Sequence, residues 1–400
     1  MLIKMQVNSG DIGELQINVV DGNNVPIKDA RVIISRKTNE NEPLDNETTQ
    51  LEQLSTDSSG QTEVVDLDAP PLEYSLDENN DNMPYANYNV EVDAPGYESE
   101  NVDNVEILPR SLAIQNVKLK KVQGEETENI NIPPHTLYYE YPAKIPEDDI
   151  KDVNEPGEIV LSRVVVPEYI VVHDGTPSSN ARDYYVTYKD YIKNVASSEI
   201  YATWPRATLE ANILAIMSFT LNRVYTEWYR NKGYDFTITS STAYDQKWIN
   251  GRNIFESISV VVDSIFDQYL SFPDVRQPIL TQYCDGRRVT CPNWLSQWGS
   301  CNLGEQGYST LEIIRNYYGS EMYINTAEQI AGIPASWPGY DLTIGSSGQK
   351  VQQIQEQLNT IGKVYTAIGN VNVDGIYGED TQRAVRNFQK IFDLPQTGII

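Results

Sequence analysis

A chain of 400 residues exceeds what one hydrophobic core of ordinary size supports, so two to four domains are expected. A formal net charge of -27 with no basic patch excludes nucleic acid as a partner, while a neutral glycan, bound by hydrogen bonds and aromatic stacking, is compatible with such an acidic surface. The first residues, Met1 to Gln6, lack the charged and apolar regions of a secretory signal, and no stretch approaches the ~20 apolar residues of a membrane span, so neither Sec export nor a membrane partner is expected.

Residues 1–121 are expected to form an all-β sandwich. Apolar and polar residues alternate over Glu14–Val20, Ala30–Ser35 and Tyr88–Val92, the period of a half-buried strand. Asp21-Gly22-Asn23-Asn24 and Asp57-Ser58-Ser59-Gly60 supply tight turns between strands. The order of "VVDGNNVPIKDARVII", "STDSSGQTEVVDLDAP", "YNVEVDAPGY" and "QNVKLKK" resembles the carboxypeptidase regulatory-like, transthyretin-like sandwich. That resemblance implies a folding or masking module with no chemistry of its own.

Residues 122–162 read as an acidic linker, because "GEETENINIPPH" and "KIPEDDIKDVNEPGE" are too polar to bury a core, and an exposed linker is where proteases cut. Residues 163–340 read as an α+β domain. Strands in "RVVVPEYIVVHDG" and "DYYVTYKDYIKNV" precede a helix predicted over Arg206–Tyr229, where Leu209, Ile213, Ile216, Met217, Thr220, Leu221 and Val224 recur at steps of three and four. A second helix is predicted over Asn253–Leu270. Residues 341–400 read as a small α-helical bundle: Val351, Ile354, Leu358 and Ile361 make one stripe, Ala384, Val385, Phe388 and Phe392 another, and Asp374–Gly378 turns between them.

With "GQKVQQIQ", "DGIYG" and "TQRAVRNFQ", the C-terminal segment resembles the peptidoglycan-binding type 1 domain. The resemblance implies delivery to an insoluble polymer, with Asp374, Gly375, Tyr377 and Gly378 either touching the wall or only holding the turn. Family members continue into another Gly-x-x-Thr helix where this chain stops at Ile400, which implies a shortened last turn. The middle segment carries "YIKNVASSEIYATWPRATLEANILAIMSFTLNR" and "NWLSQWGSCNLGEQGYSTLEIIRNYYG". These blocks resemble the stage II sporulation protein D family of lytic transglycosylases, and nearly the whole chain resembles the clostridial spore cortex-lytic enzymes of the SleC type. Asn293-Trp294 and Asn212-Ile213 depart from the family pattern, which puts substrate contacts in question before the reaction class.

The resemblance implies that Glu199, just before Trp-Pro, is the catalytic acid. Glycosidic cleavage needs a protonated acid beside the bridging oxygen, and a carboxyl desolvated among apolar groups, for which Tyr201 and Trp204 are candidate walls, keeps its proton near neutrality. In a lytic transglycosylase the C6 hydroxyl of muramic acid attacks the anomeric carbon, so one carboxyl serves as acid and then base. A hydrolytic muramidase needs a second carboxylate, for which Glu210, Asp245 and Glu305 stay open. Gln246, Ser296, Gln297 and Trp298 match positions that line the glycan groove, or are buried structural polars. His135 and His173 are remote from each other and from the cysteines, so a nucleophilic triad has little support. Cys284, Cys291 and Cys301 lack a nearby histidine, so no metal or other cofactor is expected, and a local disulfide or reduced thiols remain open. The SleC-type resemblance further implies a proenzyme, cut within about 145–163 by a subtilisin-like Csp protease, that acts on cortex peptidoglycan in the cortex and coat region of the spore, deposited from the mother cell without a signal peptide. A non-catalytic wall-binding structural protein is the rival from another class.

Overall fold

The computed structural model describes residues 10–36, 49–122, 128–139, 141–148, 161, 163–330, 341–347 and 349–400. The protein is multidomain and mixed α/β, with several sheets and seven α-helices among the described residues.

The N-terminal strands are β1 (Asp11–Asp21), β2 (Arg31–Arg36), β3 (Thr49–Ser55), β4 (Val65–Ala69), β5 (Ala86–Asp93), β6 (Glu100–Ile107), β7 (Leu112–Leu119) and β8 (Glu128–Asn131). In β1 the alternation puts Leu15, Ile17 and Val19 wholly inside, as the period of two requires. β3, β2, β5, β6 and β8 make one sheet in that order. The loop before β4 turns at Gly60, with φ of 73°, where an added Cβ would meet the Val19 carbonyl oxygen at 2.4 Å; only glycine fits.

A ninth strand, β9 (Ile254–Phe255), comes from the central part of the chain and is the edge of the second sheet, which runs β9-β7-β1-β4 with Ile254 paired to Ile114 and Phe255 to Ala113. One apolar core runs without a break from Leu15 through Ala113 and Phe255 to Met322. A buried ion pair crosses the same seam, Arg252 Nη2 to Glu106 Oε2 at 2.6 Å, while the Asn253 side chain exchanges hydrogen bonds with the Glu106 backbone.

The segment expected to be a linker is a packed strap over much of its described length. β8 adds to β6 in parallel, and beyond it His135 is fully buried, Lys144 nearly so, and Glu147 grips Arg223. A handful of anchoring side chains holds a run whose average composition is too polar to fold by itself. Most of the stretch where cleavage is expected, residues 149–160, lies outside the described residues.

The central region is built on α1 (Tyr188–Glu199) and α2 (Arg206–Tyr225), with α3 (Glu256–Ile265), α4 (Gln297–Glu305) and α5 (Thr310–Tyr318) packed around α2. α2 is buried from Ala211 through Arg223, the pattern of a core helix. It stops at Tyr225 and not at the expected Tyr229, because Glu227 takes a left-handed φ of 45°. The second predicted helix loses both ends to strand pairing: Ile254 and Phe255 join β7, and Gln268–Ser271 pairs with Tyr323–Thr326. In the C-terminal domain α6 (Gln349–Gly362) and α7 (Glu379–Ile391) enclose a separate small core of Leu342, Val351, Leu358, Tyr377, Ala384 and Val385.

Candidate active site

Thr187 caps α1 by accepting from the Asp190 N–H, and the helix ends at Glu199, where Ile200 turns extended. From Asn194 to Glu199 every side chain is buried, so the helix drives its last residue into the core. The Glu199 carboxyl has no exposure at all. Its Oε2 accepts from the Tyr283 hydroxyl at 2.5 Å and its Oε1 from the Lys247 N–H at 2.7 Å. Burial raises its pKa above the ordinary carboxyl value, opposed by the nearby Lys144 ammonium and by the Tyr283 hydrogen bond.

Lys144 reaches this point from the strap. Its ammonium donates to the Asp245 carbonyl at 2.9 Å and sits 4.0 Å from the centre of the Tyr283 ring. Burial lowers its pKa, against the pull of Glu199 and Asp245. The strap is fixed on both sides of Lys144. Thr136 Oγ1 donates to the Ser198 carbonyl at 2.7 Å, Ile145 N–H donates to Ala243, and Gln282 exchanges hydrogen bonds with Ile145 and Glu147. Tyr141, buried with its hydroxyl unpaired among the described residues, feels the Glu199 charge. Six residues between Pro133 and Pro142 form one wall of a cavity of about 650 Å3, opposite Thr242, Lys247 and Arg288. Lys247 is thus shared by that cavity and by the Glu199 carboxyl.

Three other carboxylates of this region, Asp245, Asp285 and Glu210, are already engaged. Asp245 accepts from Arg223 Nε at 2.7 Å, from the Tyr229 hydroxyl at 2.6 Å, and from the Thr239 N–H and hydroxyl. Asp285 accepts from the N–H groups of Arg287, Arg288 and Val289. Glu210 pairs with Arg206 and Thr310, whereas Glu305 is the exposed last residue of α4. A disulfide joins Cys284 to Cys291 next to Tyr283, whereas Cys301 is a buried free thiol. The loop it closes sends Arg288 to the Leu137 and Tyr138 carbonyls and Arg287 to Asp81, tying strap and sandwich together.

Tyr201, Trp204 and Trp298 form a buried cluster, with ring centroids 5.2 to 5.9 Å apart, that packs on His135 and donates from Trp204 to the Ser75 carbonyl of the sandwich. The hydrogen bonds to the Glu199 carboxyl come from Tyr283 and Lys247, which sequence reasoning missed. Gln246 is buried, accepting from Tyr191 and Thr220 and donating to the Ile216 carbonyl. Ser296 caps α4, and Gln297 is buried with its amide unpaired among the described residues. His173 pairs with Asp183 at the end of its strand and stacks on Phe236.

In the C-terminal domain Gln355 clamps the Asp374–Gly378 turn. Its amide oxygen accepts from the Asp374 and Gly375 N–H groups, and its nitrogen donates to Asp374 Oδ1 and the Ile376 carbonyl. Tyr377 is buried with its hydroxyl on the Gly398 carbonyl, and Gly378 caps α7.

Residues 347–400 match the peptidoglycan binding domain family, so the chain carries a peptidoglycan-binding domain and has a cell-wall-related role. No curated protein matches the chain. Among solved structures, the SleB N-terminal domain is 32% identical over 16% of this chain and 82% of that one, with a TM-score of 0.14. The 3-chlorocatechol 1,2-dioxygenase of Rhodococcus opacus 1CP is 16% identical over 29% of this chain and 62% of that one, with a TM-score of 0.21. The minor pilin GBS52 of Streptococcus agalactiae is 16% identical over 32% and 49%, with a TM-score of 0.20. Among the described residues no helix is long and apolar enough to cross a membrane.

Proposed function

We propose that the protein is a spore cortex-lytic enzyme, made as a zymogen, whose central domain cleaves glycan strands as a lytic transglycosylase with Glu199 as its acid. The observation that carries this reading is the wholly buried Glu199 carboxyl, raised above its ordinary pKa, in a chain that ends in a peptidoglycan-binding domain. A carboxyl shifted in that direction is disposed to keep the proton that the leaving glycosidic oxygen requires. The saturation of Asp245 and Asp285 favours a mechanism with a single acid and base over a two-carboxylate hydrolase. Protonated Glu199 gives its proton to the leaving oxygen, the C6 hydroxyl of the muramic residue closes on the anomeric carbon, and the carboxylate takes up the hydroxyl proton, leaving a 1,6-anhydro end.

The zymogen reading draws on the strap. A catalytic acid must touch substrate, and Glu199 has no exposed surface while residues 133–139 and 141–147 stay docked. Cutting the chain within 145–163, the role assigned to a Csp-type protease, would release one end of that strap. The test is mass spectrometry of products released from purified cortex by intact and linker-cut protein. Anhydro-muropeptides from the cut form and few from the intact form are expected. Reducing muramic ends would replace the transglycosylase by a muramidase, equal activity of both forms would remove the zymogen, and no product from either would leave a wall-binding structural protein.

A further inference from the structure

Arg223, near the end of α2, is gripped from two sides that differ in kind. Its Nε donates to Asp245 Oδ1 at 2.7 Å and its Nη2 to the Tyr244 carbonyl at 3.2 Å, and the centres of the Phe219 and Trp228 rings lie 4.9 and 5.1 Å from the guanidinium carbon. All four of these partners follow the proposed cleavage stretch in the chain, so they stay with the central region after a cut. The outer edge is held by the strap: Nη1 and Nη2 fork onto the two oxygens of Glu147 at 3.0 and 2.6 Å. The Arg223 side chain has no exposure, whereas that of Glu147 keeps 16%, so the carboxylate covers the guanidinium on a side that reaches solvent.

A cut beyond Glu147 leaves this acceptor a few residues from a new chain end. Lys144, whose ammonium meets the Asp245 carbonyl, lies in the same short run, so both charges leave together when that end lifts. Two donors, still oriented by Asp245, Tyr244 and the two rings, are then bared without an acceptor. A desolvated guanidinium in that state is costly, and its planar fork matches a carboxylate better than a carbonyl or a hydroxyl. We propose that Glu147 holds the place of a substrate carboxylate, and that Arg223 of the opened enzyme binds a carboxylate of the peptide stem attached to the glycan strand. The Lys144 ammonium sits over the Tyr283 ring, whose hydroxyl bonds Glu199. From there to Glu147 is three residues, at most about 10 Å of backbone, which is the reach of a two- or three-residue stem. Arg223 thereby selects peptide-bearing muramic units over bare ones. The choice of a stem peptide rests on the peptidoglycan reading above; the carboxylate seat does not.

The seat is tested in the uncut full chain with Glu147→Ala. At constant ionic strength, propionate is expected to raise the melting temperature of the variant and not of the parent, and propionamide to raise neither. No effect of propionate on the variant, or equal effects of acid and amide, overturns the seat. The stem is tested by saturation-transfer NMR titration of linker-cut protein with N-acetylmuramoyl-L-alanyl-D-glutamate, its diamide, and N-acetylmuramic acid. The dipeptide acid is expected to bind roughly 10-fold more tightly than the other two, and Arg223→Lys, which keeps a cation beside Asp245 but loses the fork, to erase that margin. Equal binding of N-acetylmuramic acid moves the carboxylate to the lactyl group, and no margin in the parent, or an undiminished one in folded Arg223→Lys, places it away from Arg223; each overturns the stem assignment. If Arg223→Lys fails to fold, Glu147→Ala and the margin of acid over amide decide. A cut protein that binds the acid and releases no muropeptides sinks the lytic reading and leaves the seat standing, and one that releases muropeptides without preferring the acid does the reverse.

Discussion

Glu199 in the central region and Asp374 in the C-terminal domain are both acids in short legible motifs, and their surroundings push them in opposite directions. Burial lifts the Glu199 carboxyl above its ordinary range, whereas hydrogen bonds from the Ile376 N–H and from Gln355 hold Asp374 below its own. The difference separates two uses of a carboxylate. Asp374 is solvated and surrounded by donors, so it stays ionised and braces a turn. Glu199 has lost water and received only two hydrogen bonds in return, so it can keep a proton and give it up on demand.

If buried charge sets the central region apart, removing a partner there must cost more than removing one in the C-terminal turn. Arg223 is fully buried between Asp245 and a bidentate Glu147, so Arg223→Met strands Asp245 and is expected to destabilise by about 3–5 kcal/mol in urea unfolding. A loss below about 1 kcal/mol would break the comparison at its strongest point.

Glu100 extends it to the sandwich, where burial and the Glu128 charge raise its carboxyl to about 7. Because the folded value lies above the unfolded one, the stability it contributes is complete below about pH 4.5 and is lost as pH rises through about 7. Glu100→Gln is therefore expected to melt higher than the parent at pH 8, by at most about 3 kcal/mol of added stability, with little difference at pH 4. A difference independent of pH would assign the effect to packing. Smallest is Gln355→Ala, which should weaken the C-terminal domain by about 1–3 kcal/mol and loosen the Asp374 turn, seen as faster amide exchange at Gly375 and Ile376.

Much of the fold was legible because it is written in local periodicity. The alternation in β1, the stripe along α2 and the Asp-Gly-x-Tyr-Gly turn each depend on residues close in sequence. The motif around Trp-Pro singled out Glu199 but not its environment, since Tyr283 lies 84 positions away and nothing near it marks a hydrogen-bond donor aimed at that carboxyl. Lys144 and Glu147 were hidden by composition: in an acidic, proline-rich run a few anchoring side chains do not change the average. β9 was read as part of a helix because Ile254 and Phe255 fit an apolar stripe, and only the edge of β7, remote in sequence, claims them as a strand.

The most direct test of the central claim is the rate of muropeptide release from purified cortex by linker-cut protein and by linker-cut Glu199→Gln, with melting curves for both. The account predicts release by the parent and a rate about 100- to 10,000-fold lower in the variant, as for loss of a general acid. It also predicts that the variant melts no lower than the parent above the raised Glu199 pKa, where the parent must hold a buried charge. A folded Glu199→Gln protein that releases muropeptides at the parent's rate would contradict it.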